Sequence, residues 1–176
     1  MLNLEHNQIH IVSSNAFDGQ AKLRLLSLSH NRIEKLHREI FINLENLTSL
    51  SMDHNQLETF EMMLKNNTLK DLALSNNRLK SVPEFIRECR QMTTLDLGDN
   101  NIQEITGDDF NSLTELYGLK LAGNRIKTVG NDTFVNTTNL HLLNLARYYL
   151  QQLSLLLSVV PFQIQCLQNN FTHFQE

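Results

Sequence analysis

Three histidines, His6, His30 and His54, recur at one fixed interval, so any fold of matching period brings them into one row. Such a row is a weak site for a transition metal, a patch that charges below about pH 6.5, or simply a solvated row beside a turn. The last is the simplest reading, and no metal ligand is assigned. Asn76 and Asp99 break the row afterwards. Asp53, Asp71 and Asp96 form the acidic middle of the outward-facing strand positions and, with Tyr117 and Lys120, are the candidates for contact with a ligand. There is no general acid/base pair, no nucleophile beside a base and no glycine loop after a strand to cradle phosphate. The chain is therefore read as non-catalytic, with no cofactor. Two cysteines, Cys89 and Cys166, are too few for a disulfide framework or a zinc site. Cys89 reads as a small buried apolar residue. Pairing of the two is not expected, because they lie about three repeats apart and a disulfide needs Cα atoms within about 7 Å.

What positions these residues is a repeat. Met92, Leu95, Leu97, Asn100 and Ile102 fit the template L-x-x-L-x-L-x-x-N-x-L of leucine-rich repeats. The phrase restarts at Leu23, Leu47, Leu69, Met92, Leu116 and Leu140. The steps are nearly equal, those from Leu47 and Leu69 being slightly shorter than the others. Asn7, Asn31, Asn55, Asn77, Asn100 and Asn124 fill the asparagine position. The L-x-L pair alternates with period two, so Leu26 and Leu28 point inward from a short strand while their neighbours point out. Successive strands pair in parallel about 4.8 Å apart. An asparagine amide both donates and accepts, so stacked asparagines satisfy the turns where the chain leaves each strand. Phe17, Phe41, Phe110 and Phe134 share a later position and fill the far side of the core.

The expected fold is an α/β repeat: a curved leucine-rich-repeat solenoid with short parallel strands on the concave face and loops and short helical turns on the convex face. Repeats are expected over 1–153, the first partial and the last degenerate, followed by a non-repeat tail over 154–176. Ser81, Pro83 and Glu84 have the spacing of a capping box with proline in the first turn, which predicts a helix over 84–91. Residues 58–65 also read as helical, and segments 106–115 and 130–139 as turns or single helical turns. The pattern fails at Tyr148, where the ladder needs an amide. Residues 154–176 read as an improvised cap or, preferably, a non-native tail. The chain opens in the second half of a repeat, as a fragment would.

The net charge of −4 and an apolar content of 41% give no basic footprint for nucleic acid. The longest apolar run, about twelve residues over 153–164, is too short for a membrane span of about 20. Sequons stand at Asn46, Asn66, Asn131, Asn136 and Asn170. The first four lie outside the strands and are the glycosylation candidates, which favours an extracellular setting.

Leu116-Tyr117-Gly118-Leu119-Lys120-Leu121, the later Leu143-Asn144-Leu145-Ala146-Arg147, and Thr94-Leu95-Asp96-Leu97-Gly98-Asp99-Asn100 resemble the ectodomain of arthropod Toll receptors of the 18-wheeler-like branch. The resemblance covers residues 1–147. It implies an innate-immune or developmental receptor at the cell surface that binds a Spätzle-type cytokine or a microbial surface and dimerises, with signalling parts outside this chain. The alternatives are an extracellular leucine-rich-repeat adhesion or matrix protein and a cytosolic scaffold.

Overall fold

The computed structural model describes residues 1–130 and 132–145, and the backbone of 165–166. The readings placed on Asn131, Tyr148, Asn170 and the rest of the tail lie outside these residues. The coils contribute strands of two or three residues, beginning with β1 (Leu2–Asn3), β2 (Leu25–Ser27), β3 (Ser49–Ser51), β4 (Asp71–Ala73) and β5 (Thr94–Asp96). After β6 (Glu104–Ile105) come β7 (Gly118–Lys120), β8 (Thr128–Val129), β9 (Leu142–Asn144) and β10 (Gln165–Cys166). β1, β2, β3, β4, β5, β7, β9 and β10 pair in that order into one parallel sheet, and β6 and β8 form a second, two-stranded one.

The register explains the leucines. Leu2, Leu26, Leu50, Leu72, Leu95, Leu119 and Leu143 face one another in turn across the sheet. From Leu26 onward this column is buried, each member contributing about 1.5–3 kcal/mol of apolar burial. A shift of one residue would turn the column to solvent. The result is a stacked solenoid, as the repeat predicts, with very little helix among the described residues.

The asparagines close the turns. Asn77 Nδ2 donates to the carbonyls of Leu74 and Ser75 in its own coil and Met52 in the preceding one, at 3.0–3.2 Å. Its Oδ1 accepts the Leu57 amide at 3.0 Å. Asn31, Asn55 and Asn100 repeat this pattern. Asn124 makes the same links to Leu97, Leu121 and Ile102. These five are buried. Asn7 is exposed and donates only within its own coil, to Leu4 and Glu5.

Aromatic rings line the opposite side of the core. Phe17 stacks on Phe41 at 5.7 Å, Phe41 meets Phe60 edge-on at 6.5 Å, and Phe60 meets Phe85 at 5.6 Å. Phe110 and Phe134 stack at 6.2 Å.

Both helix expectations need correction. Residues 58–65 contain no helix. Phe60 and Met62 are buried, and Leu64 is partly so, while Met63 is exposed. That is the alternation of an extended segment, pinned where the Met63 amide donates to Arg38 O at 2.8 Å. The helix over 84–91 is a 3-10 segment, Glu84–Glu88. Pro83 is its N-cap residue, with no side-chain cap bond, so the Ser81 capping box does not form. The tighter winding leaves residues 89–91 free to return to the next strand. A carboxylate that the repeat pattern does not single out, Asp109, is buried beside this segment. It accepts the Thr106 amide at 2.7 Å and pairs with Arg87 at 3.1 Å.

Cys89 is a free thiol, 1% exposed. Burial pushes its pKa up to about 11, so the thiolate that reacts with disulfide reagents is scarce. In a Cys166→Ser variant, Cys89 should react with an aromatic disulfide at pH 8 about a hundredfold more slowly than an exposed thiol. Urea should abolish that protection; equal rates in the native and unfolded chain would refute the burial.

Candidate functional site

The concave face is built by the residues that alternate with the buried leucines. Between β3 and β9 these are mainly small: Ser49, Ser51, Ala73, Thr94 and Gly118. A shallow trough of about 450 Å³ runs over them and is flanked by Tyr117, Lys120 and Asn144. The small floor follows from the register, in which Thr94 faces Gly118 and Ala73 faces Asp96. A side chain on Gly118 would meet Thr94 Cγ2 at 3.8 Å, so it is surface depth rather than backbone strain that glycine supplies there.

The predicted contact residues do not form a bare acidic strip. Asp53 Oδ1 accepts the Ser29 hydroxyl at 2.6 Å. Asp71 Oδ1 accepts the hydroxyls of Thr94 at 2.6 Å and Thr93 at 3.2 Å. Asp96 accepts its neighbour Gly98's amide at 3.0 Å and pairs with Lys120 Nζ at 3.0 Å. Each carboxylate is thus tied to an adjoining coil. The Lys120–Asp96 pair is solvent-facing, so it contributes about 0–1 kcal/mol.

Tyr117 is different. It is 48% exposed, and its ring stacks on His141 at 5.0 Å with 16° between planes. The two rings form a short aromatic stack at one margin of the trough. Of the contact candidates, Tyr117 and Lys120 share the trough with Asp71 and Asp96, whereas Asp53 lies outside its lining. Sequence reasoning missed Thr94 and Gly118 as a floor, although their place just before Leu95 and Leu119 carried the signal.

Of the glycosylation candidates, Asn46, Asn66 and Asn136 are exposed and outside the strands, and Asn131 is not described. Asn46 Nδ2 donates to Ala21 O at 2.9 Å; a glycosylated amide keeps one hydrogen, so the bond and a glycan are compatible. Among the described residues, no helix is long and apolar enough to cross a membrane.

The family model described as Leucine rich repeat matches residues 1–33, 21–79, 67–125 and 90–150. Among solved structures, the Drosophila Toll–Spatzle complex, in glycosylated form, is similar with a TM-score of 0.65 and 24% identity, over 81% of this chain and 23% of that one. A leucine-rich-repeat protein of Leptospira interrogans is similar with a TM-score of 0.63 and 28% identity, over 72% of this chain and 32% of that one. The chain therefore spans less than a third of either. No curated protein matches the sequence.

Proposed function

The chain belongs to the leucine-rich repeat family, and from that premise we propose that its concave sheet is a non-catalytic protein-recognition surface within a Toll-like receptor ectodomain. The observation that carries this reading is the trough of small residues flanked by the exposed Tyr117 ring, which stacks on His141. A rigid aromatic beside a shallow floor is the arrangement in which few residues supply most of the binding energy. The hydrogen-bonded serines, threonines and aspartates around it offer orientation at little entropic cost, because neighbours already hold them.

The partner proposed is a Spätzle-type cytokine, since the Toll structure similar in fold is a complex with Spatzle. A microbial surface and a second receptor copy are the other partners the resemblance implies. An extracellular position is proposed from the same likeness and from the exposed sequon asparagines, Asn46, Asn66 and Asn136.

The test is biolayer interferometry of the immobilised chain with purified Spatzle as probe. Tyr117→Ala with Lys120→Ala should weaken binding by tenfold or more, the scale of a hot-spot aromatic at about 2 kcal/mol, without moving the thermal midpoint. Charge reversal at Asp53, Asp71 and Asp96 is a less clean probe, because it also removes the bonds to Ser29, Thr94 and Lys120. Binding unchanged in the Tyr117/Lys120 variant places the site elsewhere. No binding by the unmodified chain removes Spatzle as the partner.

A further inference from the structure

We propose that His30, Asp53 and His54 form a site for one divalent transition-metal ion of the Zn²⁺ type, at the rim of the sheet. The backbone sets the row. The residue before each ladder asparagine lies in the left-handed region: φ is 54° at His6, 53° at His30, 54° at His54, 54° at Asn76, 49° at Asp99 and 73° at Gly123. That conformation favours glycine, asparagine, aspartate and histidine at the position. It accounts for the absence of branched residues. It does not account for imidazole in successive coils beside a carboxylate.

The side chains lie close together. The His30 and His54 rings lie 4.1 Å apart and 12° from parallel. One ligand atom from each of His30, Asp53 and His54 lies within 4.8 Å of the others, the one such group of three among the described residues. Tetrahedral coordination at bonds of about 2.0–2.1 Å brings donors to roughly 3.3 Å of one another, so ion binding unstacks the two rings, turning them about their side-chain torsions until their in-plane lone pairs meet. The Ser29 hydroxyl bonds Asp53 Oδ1 at 2.6 Å. That bond orients the carboxylate and leaves its second oxygen for the ion, the usual task of an outer partner.

The frame beneath is held. The His30 amide donates to Asp53 O at 3.0 Å, and the Asn31 amide donates to His54 O at 3.2 Å. Both turns are therefore fixed relative to each other before an ion arrives. Two imidazoles and one carboxylate suit Zn²⁺, Ni²⁺ or Cu²⁺ rather than Ca²⁺ or Mg²⁺, which take oxygen ligands. Water completes the coordination. His6 stacks on His30 at 4.2 Å but is outside the convergent group, so it serves as an internal control.

The chain should be titrated with Zn²⁺ by calorimetry at pH 7.5, and with Co²⁺ by visible absorption to report coordination. One ion per chain is expected. His54→Asn and Asp53→Asn should each lower affinity by about tenfold or more, and His6→Asn by no more than twofold. Asparagine suits these tests at the histidines because Asn76 already occupies the equivalent backbone position. Absence of binding up to millimolar ion overturns the site. So does binding that survives in His30→Asn/His54→Asn, with the fold checked by circular dichroism. If Asp53→Asn lowers the thermal midpoint, the two histidine variants decide.

Discussion

Replacing Asn77 by alanine should destabilise the solenoid by about 1–3 kcal/mol, the cost of leaving a buried amide unpaired. The Leu57 amide would lose its acceptor, while the carbonyls of Met52, Leu74 and Ser75 would each lose one of two donors and keep Asn55 Nδ2, Asn100 Nδ2 and the His54 amide. The same substitution at Asn7, which is exposed and bonds only Leu4 and Glu5 carbonyls, should cost less than about 0.5 kcal/mol. Urea unfolding compares the two, and hydrogen exchange at the Leu57 amide reads the local effect. A solenoid can open unit by unit, so exchange is the more direct readout. Equal losses at Asn77 and Asn7 would show that the ladder amides contribute nothing beyond local turn formation.

Phe41→Ala should have the larger effect, about 3–5 kcal/mol. Its ring is 1% exposed and touches two others, Phe17 at 5.7 Å and Phe60 at 6.5 Å. Truncation removes the apolar transfer energy, leaves a cavity between coils and breaks both ring contacts. Among the described residues Phe17 has one ring partner, Phe41, so Phe17→Ala should cost less. Thermal and chemical unfolding of the pair would check the order. A loss below about 1.5 kcal/mol at Phe41 would mean that the neighbouring coils collapse into the space.

The parts of the fold that were legible are those fixed by periodicity. Leu26, Leu50, Leu72, Leu95, Leu119 and Leu143 sit at one template position, and the parallel register follows from stacking them. Phe60 and Phe85 were not legible as core rings. They lie in the two shortened coils, and they stand closer along the chain to Leu47 and Leu69 than Phe41 and Phe110 stand to Leu23 and Met92. Residues 58–65 misled because glutamate, methionine, leucine and lysine are good helix formers, yet tertiary packing selected the alternating extended form. The left-handed backbone under His30 and His54 was visible only through its consequence, the residue types tolerated there. At the candidate site, the outward position of Asp71 and Asp96 was legible. Their bonds to Thr94 and Lys120 were not, because each partner lies a whole coil further along the chain.

The ladder amides also give the molecule a direction in time. Asn31, Asn55, Asn77, Asn100 and Asn124 each reach back to the coil before them, accepting from Ile9, Ile33, Leu57, Leu79 and Ile102. No turn of this set is finished by its own asparagine alone; it is finished by its successor's. On the ribosome, a coil that has just emerged therefore waits with a polar group unmet until the next one follows. Where folding keeps pace with synthesis, each newly made coil seals the one already outside.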